Sequence, residues 1–568
     1  MRSDRSPRRR VLTLGMVVTA VLAAQMGLGG PSAGAASPPA YTFNPAPVAA
    51  AGTLAAKTLV AVVLTATRAG GVPAGGSTVY LSFTPVAGGG TLTAHGLPIG
   101  TTPTAVRADA AGQVMMSFKA PATLPSAGAD VITAANAASS PTLVEQDYYS
   151  YGGSGPSAGD WPMFHLNPSH LAVSTDTKLG AAYAPSLKLL WSATTTGSCP
   201  TTGCAQDVSS PSVVYNTALG YPLVYVADYW GDVLAYNAIT GKRVWKSHVT
   251  GKILGSPAVS NGLLFIGSAN HYMYELNATT GAVVCSLNAG GIITSAPVVA
   301  NLGSGDVVFF GDHGAQFQPP RGGHLWAMNA TGCTVKWAWN AFGNPPGSQT
   351  GLSGEWSEPG LALDSSGRPL VVFGSSDPDD AIYALNANTG VTVWRFQTLQ
   401  GIDSDVGAGP TISAPGVNGF PDGVVYETGK DKIVYALDLA SGAVIWSFNI
   451  KTANPVPQGD TVSVASLDGT NLILGWGAGL YDLNAVTGVP IWNVTGLAEV
   501  ATSPAVSGSP GDKIVFAGDL AGGFHAYTMT GSQVFGMNTG GAVFGSPAVS
   551  NGRVYFTDAA TNTLYALG

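Results

Sequence analysis

Three short stretches hold carboxylates grouped closely enough to do chemistry. GEWSEP (354–359) sets Glu355, Trp356 and Glu358 just ahead of an apolar run. GSSDPDD (374–380) places Asp377 after the next apolar run, and GIDSDVGAGP (401–410) places Asp403 and Asp405 ahead of the one after. Carboxylates converging from such loops can ligate Ca²⁺, which takes about six to eight oxygens. One of them could also act as a general base in alcohol oxidation. The competing account makes them turn-formers and solvated loop charges, because Asp side chains readily bond their own backbone. The histidines are scattered without metal-ligand spacing. No phosphate-cradling loop and no Ser/His/Asp set stands out.

Those loops need strands to hold them, and the chain repeats itself in strands. Ser-Pro-type entries to apolar runs recur at Pro211, Pro257, Pro297, Pro359, Pro410, Pro504 and Pro547, and TVSVAS (461–466) is a version without Pro. Between them recur turns at Gly241, Gly281, Gly332, Gly390, Gly442, Gly488 and Gly531, spaced 40 to 58 residues apart. Each turn leads into an apolar strand that often ends in Trp. A period of that length with about four strands per unit means propeller blades. The unit from Pro257 reads as PAVS, GLLFIGS, HYMYELN and AVVCSLN, with Asn261-Gly262 as a tight hairpin turn.

The last unit, SNGRVYFTDAATNTLYALG (550–568), holds three strands, and SLKLLWSA (186–193) is an orphan fourth. Pairing the two closes the ring and gives eight blades. In AIYALNANTGVTVW, Ala384, Gly390 and Trp394 keep the spacing of Ala235/Gly241/Trp245 and Ala436/Gly442/Trp446. A Trp ring at one blade's rim can lie over a neighbour's Gly, where no side chain obstructs it. The motif is therefore a structural fastener.

Composition bounds the class. Charged residues are only 10% of the 568, against about 25% in ordinary domains. Gly, aromatic and β-branched residues are frequent, as an all-β extracellular chain requires. The basic MRSDRSPRRR, the apolar Val11–Leu28 and Ala33-Gly34-Ala35 form a secretory signal over 1–35, of Sec or twin-arginine type. Without residues 1–35 the net charge is about −12. An acidic chain with no basic block excludes nucleic acid and anionic membrane surfaces as partners. The mature chain shows no membrane span and reads as a monomer, either released or displayed on the cell surface. Of the four cysteines, Cys199 and Cys204 share a loop and form a local disulfide. Cys285 ends a strand while Cys333 begins one, so they are not expected to pair.

Residues 41–145 differ from the repeat. Short alternating runs separated by Gly and Pro turns predict a β-sandwich of about 100 residues. The order LTAT, G-x-P, GGGTLTA, DAAGQ and ITA resembles invasin-type bacterial immunoglobulin-like domains, which are mostly spacers. Residues 146–160 read as a Gly/Ser/Tyr-rich linker.

The Ala/Gly/Trp spacing and the opening DWPMFHLNPSH (160–170) resemble the tryptophan-docking repeat of the pyrroloquinoline-quinone (PQQ) propeller superfamily, over about 400 residues. Cys285 and Phe535 stand where Trp is expected, and Cys333 takes a small-residue position. The resemblance implies quinoprotein alcohol dehydrogenases, with PQQ and Ca²⁺ on the axis, or non-catalytic binding and assembly proteins. On the enzyme branch, GIDSDVGAGP matches the family's Asp-x-Asp-x-Gly-x-x-Pro stretch. Asp403 or Asp405 is then the base, Asp377 and Asp405 hold the metal, and Glu355, Trp356 and Glu358 face the cofactor. The departures count against that branch. The adjacent Cys-Cys pair is absent, Gly-Ser-Ser-Asp replaces Gly-Thr-Gly-Asn, and neither Arg321, Arg368 nor Arg395 sits in a matching motif. The expectation is an all-β, exported, non-catalytic scaffold without a cofactor. It engages a protein, glycan or small-molecule ligand at the loops or axial funnel of an eight-bladed propeller (161–568).

Overall fold

A computed structural model describes residues 40–44, 59–67, 73–84, 91–119, 127–137, 144–152, 159–195, 209–303, 305–313, 323–340, 357–376, 379–399, 405–450 and 463–568. The segment 1–35 read as a secretory signal and the Cys199/Cys204 loop lie outside them. Among the described residues no helix is long and apolar enough to cross a membrane.

Short β-runs alternating with Gly turns become four-stranded antiparallel sheets. Sheets 1 to 7 follow in chain order: 212–248, 258–288, 298–340, 360–397, 411–449, 466–495 and 505–538. Sheet 8 joins Val543–Ser550, Arg553–Asp558 and Thr563–Leu567 to the upstream strand Leu189–Thr194. The closing register pairs Ser192 with Tyr565 and Ala193 with Leu564. Innermost strands adjoin in sequence order, and that of sheet 8 meets that of sheet 1. The result is a closed β-propeller.

The rim fastening follows the Trp/Gly spacing. Trp191, Trp245, Trp337, Trp394, Trp446 and Trp492 lie against Gly241, Gly281, Gly390, Gly442, Gly488 and Gly531 of the next sheet. A Cβ on Gly442 would come within 2.7 Å of the Trp394 ring, and the glycine's φ of +71° is one that L-residues rarely adopt. Each indole Nε1–H donates to a backbone carbonyl next door: Trp394 to Leu439 at 2.9 Å, Trp446 to Ala485 at 3.0 Å. The dock thus combines apolar burial with a satisfied polar tip.

Between sheets 2 and 3 the dock changes chemistry. Cys285 and Cys333 form a disulfide there, contrary to the sequence expectation. Opposite chain polarity was no bar, because the last strand of each sheet passes the turn after the third strand of its neighbour. Cys285 occupies the Trp slot, and Cys333 follows Gly332, the glycine of the next turn. Glu275 fills the space the indole vacates: it pairs across strands with Cys285, as Ala384 does with Trp394. Between sheets 7 and 8, Phe535 replaces Trp and packs into the closing sheet's core.

One strand of chain then fills the axis. Trp161 exchanges two backbone hydrogen bonds with Val213 of sheet 1, and the Pro162 carbonyl accepts from Val259 of sheet 2. The carbonyls of Pro168, Ser169, Leu171 and Ala172 accept from Leu361, Ile412, Leu467 and Val506 of sheets 4 to 7. Ser174 Oγ donates to Val549 O of sheet 8. Residues 161–174 therefore visit the inner strands in ring order and floor the channel. His165 and His170 are buried in this floor, and their Nδ1 atoms bond the carbonyls of His170 and Pro410. Burial pushes their pKa values down to about 3 and about 4.

Ahead of the ring, two sheets of five and four strands pack face to face. Leu64, Leu92, Val114 and Met116 of one meet Val79, Leu81, Phe83 and Ile132 of the other in a shared core. The segment read as a linker differs from expectation: Val144–Gly152 is a nine-residue strand paired with Ala127–Ala135.

Three outcomes follow from these contacts. Trp394→Ala should cost about 3–5 kcal/mol, seen as a lowered urea midpoint. Reducing Cys285–Cys333 should cost about 2–4 kcal/mol, whereas a Cys285→Ala/Cys333→Ala chain should ignore the reductant. A His depressed by burial contributes stability fully above its ordinary pKa and loses it as pH falls toward the folded value. His170→Asn, which keeps the donor to Pro410, should therefore shrink the acid loss between about pH 6.5 and about pH 4; an unchanged acid limb in equilibrium unfolding would refute the assignment.

Candidate functional site

Of the residues that precede the inner-strand prolines, Ser210, Ser256, Glu358, Ser503 and Ser546 line one cavity. Four of these are serines, and they link successive sheets across the closure. Val464 N donates to Ser503 Oγ, Ser503 N to Ser546 Oγ, Ser546 N to Ser210 Oγ, and Ser210 N to Ser256 Oγ, all at 2.9–3.0 Å. On the other half of the ring the same position holds Ala296, Glu358, Gly409 and Val464. Glu358 is its one charged occupant.

Above the floor lies a cavity of about 550 Å³. Phe164 forms its base, with Leu254 and Phe544 on its walls. Its charged lining is Glu358, Asp405, Lys430 and Glu499. Lys430 Nζ donates to Asp405 Oδ2 at 2.8 Å, and the Lys430 backbone N–H donates to Asp405 O at 2.9 Å. Thr294 on the wall contacts His313 Nε2 at 2.6 Å, and burial pushes that histidine down to about 4. Desolvation raises Glu358 to about 7.

Of the residues singled out in the sequence, Glu358 and Asp405 therefore share the axial cavity. Glu355, Trp356, Asp377 and Asp403 lie outside the described residues. Arg368 and Arg395 pair with Asp364 and Asp379. Sequence reasoning missed Lys430 and Glu499. Lys430 sits in the turn after an inner hairpin strand (TGKDK) and Glu499 precedes an inner strand (GLAEVATSP), the same two loop classes that carry Asp377 and Asp405. Loop class was the usable signal.

A family model described as outer membrane protein assembly factor BamB matches residues 175–351, 378–504 and 477–568. The chain belongs to this family. BamB of Yersinia pestis is 25% identical over 277 residues, 43% of this chain and 63% of that protein. BamB of Salmonella typhimurium is 24% identical over 63% of this chain and 89% of its own length. The tetrathionate hydrolase of Acidithiobacillus ferrooxidans is 25% identical over 52% of this chain and 58% of its own length. The match thus spans about six-tenths of the Yersinia and Acidithiobacillus relatives. In fold, this BamB-family chain superposes on a europium-containing methanol dehydrogenase with a TM-score of 0.57 at 16% identity, covering 72% of this chain and 98% of the other. It superposes on the quinohemoprotein alcohol dehydrogenase of Comamonas testosteroni with a TM-score of 0.55 at 17% identity, covering 72% and 80%.

PQQ carries three carboxylates. Among the described lining residues it would meet three more carboxylates and one ammonium, which already bonds Asp405. Without a cation between the two sets of carboxylates, that described donor set does not fit the quinone. Among the described residues the one grouping of three metal-type donors within 4.8 Å is Glu275, Cys285 and Cys333, whose sulfurs are joined in the disulfide.

A carboxyl raised by burial favours the folded state below its ordinary pKa and loses that advantage as pH rises through the folded value. Glu358→Gln should therefore gain stability relative to the parent as pH climbs from about 4.5 to beyond 7. Urea unfolding across that range reads it, and a pH-independent difference would count against a buried Glu358.

Proposed function

We propose that this chain is an exported, non-catalytic binding and scaffold protein. An immunoglobulin-like spacer presents an eight-bladed propeller whose loops or axial funnel engage a protein, glycan or small molecule. The observation that carries this reading is the axial charge set: Lys430 is paired with Asp405, and the other charged groups among the described lining residues, Glu358 and Glu499, are carboxyls that offer a tricarboxylate cofactor no counter-charge. Family membership agrees, since BamB is by its description an assembly factor. The spacer reading rests on the two-sheet packing of 40–152 and on its motif order. Export rests on residues 1–35, and relatives described as outer-membrane assembly factors are compatible with it.

A second reading has one observation in its favour. A carboxyl near pH 7 at the axis, Glu358, is poised as a general base, and the fold is shared with alcohol dehydrogenases. On that reading the chain is a PQQ- and Ca²⁺-dependent dehydrogenase of an alcohol or polymeric alcohol. Incubating purified protein with PQQ and CaCl₂, removing free quinone, and assaying dye reduction with an alcohol panel separates the two. The scaffold reading expects neither bound quinone nor turnover. Stoichiometric quinone uptake with turnover that Asp405→Ala abolishes would overturn it.

A further inference from the structure

The repeat supplies its own control for what is unusual at the axis. On the second strand of each sheet, the residue after the one paired with the small Ala-type position is apolar in seven sheets, as at Val226, Phe373 and Leu474. In sheet 5 it is Glu427. Glu427 is 1% exposed, no side chain hydrogen-bonds its carboxyl oxygens, and the Thr428 backbone N–H is the donor beside them.

Its direction is fixed by its neighbours. The Tyr426 hydroxyl donates to Ala485 O and Thr428 Oγ1 donates to Ser463 O, both toward sheet 6. Strand alternation sends Glu427 to the opposite face, toward sheet 4. Val425, of the same parity, packs there against Val372, Ile382 and Ala384. Sheet 4 is entered through Glu358, and Glu427 lies close enough to feel its charge. Two adjacent sheets thus break the repeat with a carboxyl each: Glu358 lines the cavity, and Glu427 faces sheet 4 from outside that lining.

A carboxylate left charged in that setting destabilises the fold unless something neutralises it. The cavity supplies what an organic body needs. Phe164 and Phe544 line it with aromatic rings, a residue type that attracts alkylammonium groups, and Leu254 adds apolar surface. Its volume suits a small molecule. We infer that the axial cavity binds a small organic cation whose ammonium is held by Glu358, with Glu427 buried behind it. This deepens the scaffold reading and rests on it.

Protonation competes with the ligand. Glu358 faces Asp405, Lys430 and Glu499 across the cavity, and His170 approaches from below beside Gly409. His170 is neutral at physiological pH and Lys430 bonds Asp405, so neither takes the ligand's place. Burial raises Glu358 to about 7 and holds Glu427 well above the usual carboxylate range, so cation binding strengthens as pH rises through the Glu358 midpoint.

The test is calorimetric titration of the full chain with n-butylammonium chloride, with n-butanol as the neutral isostere and CaCl₂ as the metal control. The expected result is saturable ammonium binding above the Glu358 midpoint, weakened roughly tenfold or more well below it and in both Glu358→Gln and Glu427→Gln. Glu427→Gln should melt no lower than the parent, since it removes a buried unpaired charge, and butylammonium should raise the parent's midpoint but not the variant's. Binding undiminished in both variants, equal binding of butanol, or uptake of Ca²⁺ in place of the amine would each overturn the site. Absence of amine binding in a chain that also takes up no PQQ defeats this inference alone. Quinone uptake with turnover defeats the scaffold reading beneath it.

Discussion

The structure depends on one contact: an indole laid flat on a neighbour's glycine, with its N–H bonded to a backbone carbonyl of the same neighbour. The contact needs a residue without Cβ at positive φ on one sheet and a large planar side chain on the next. It also fixes spacing, because the ring rests on backbone that cannot repack. Burying each ring contributes on the order of a few kcal/mol. Six docks hold the rim, and the two remaining junctions use a disulfide and a phenylalanine. The exchange at Cys285 is a compensated one. A covalent bond replaces an aromatic contact, and Glu275 occupies volume where six sheets keep Ala and sheet 6 keeps Asp482.

Rim and axis are fastened by different means. The docks work at the outer edge, whereas the belt of Ser503, Ser546, Ser210 and Ser256 joins backbone to hydroxyl near the centre. The floor strand 161–174 adds a third set of bonds that touches seven of the inner strands directly and packs Met163 beside sheet 3. Because the floor and belt together satisfy inner backbone groups, the cavity above can be lined by side chains chosen for other reasons. That is where Glu358, Asp405, Lys430 and Glu499 stand.

The repeated grammar made the ring legible. Period, Gly turns and the orphan strand at 186–193 led to the closed sheet that pairs Ser192 with Tyr565. The docks were legible too, since Ala/Gly/Trp spacing is a one-dimensional trace of a two-sheet contact. The Cys285–Cys333 bond was not, because pairing was judged from where each residue sat on its own strand. Two departures falling in one slot of the repeat held the answer. At the axis, Glu358 and Asp405 were legible as loop carboxylates preceding inner strands. Lys430 was hidden because its partner lies 25 residues away in a neighbouring loop. Glu427 was hidden inside GVVYETG, where a single glutamate in an apolar strand reads as an edge position until the ring buries it.

Repetition also decides how to weigh these polar residues. An isolated buried carboxyl in an irregular fold has many explanations, including a local packing compromise. Here seven equivalent sheets solve the same packing problem with apolar side chains, so the eighth had an apolar solution available. The same logic applies at Glu358, where other sheets manage with Ser, Ala, Gly or Val. A residue that costs stability where the scaffold offers a cheaper choice points to selection for something other than folding. Two such residues in adjacent sheets, one of them on the cavity wall, make that argument about a place, and the place is the centre of the ring.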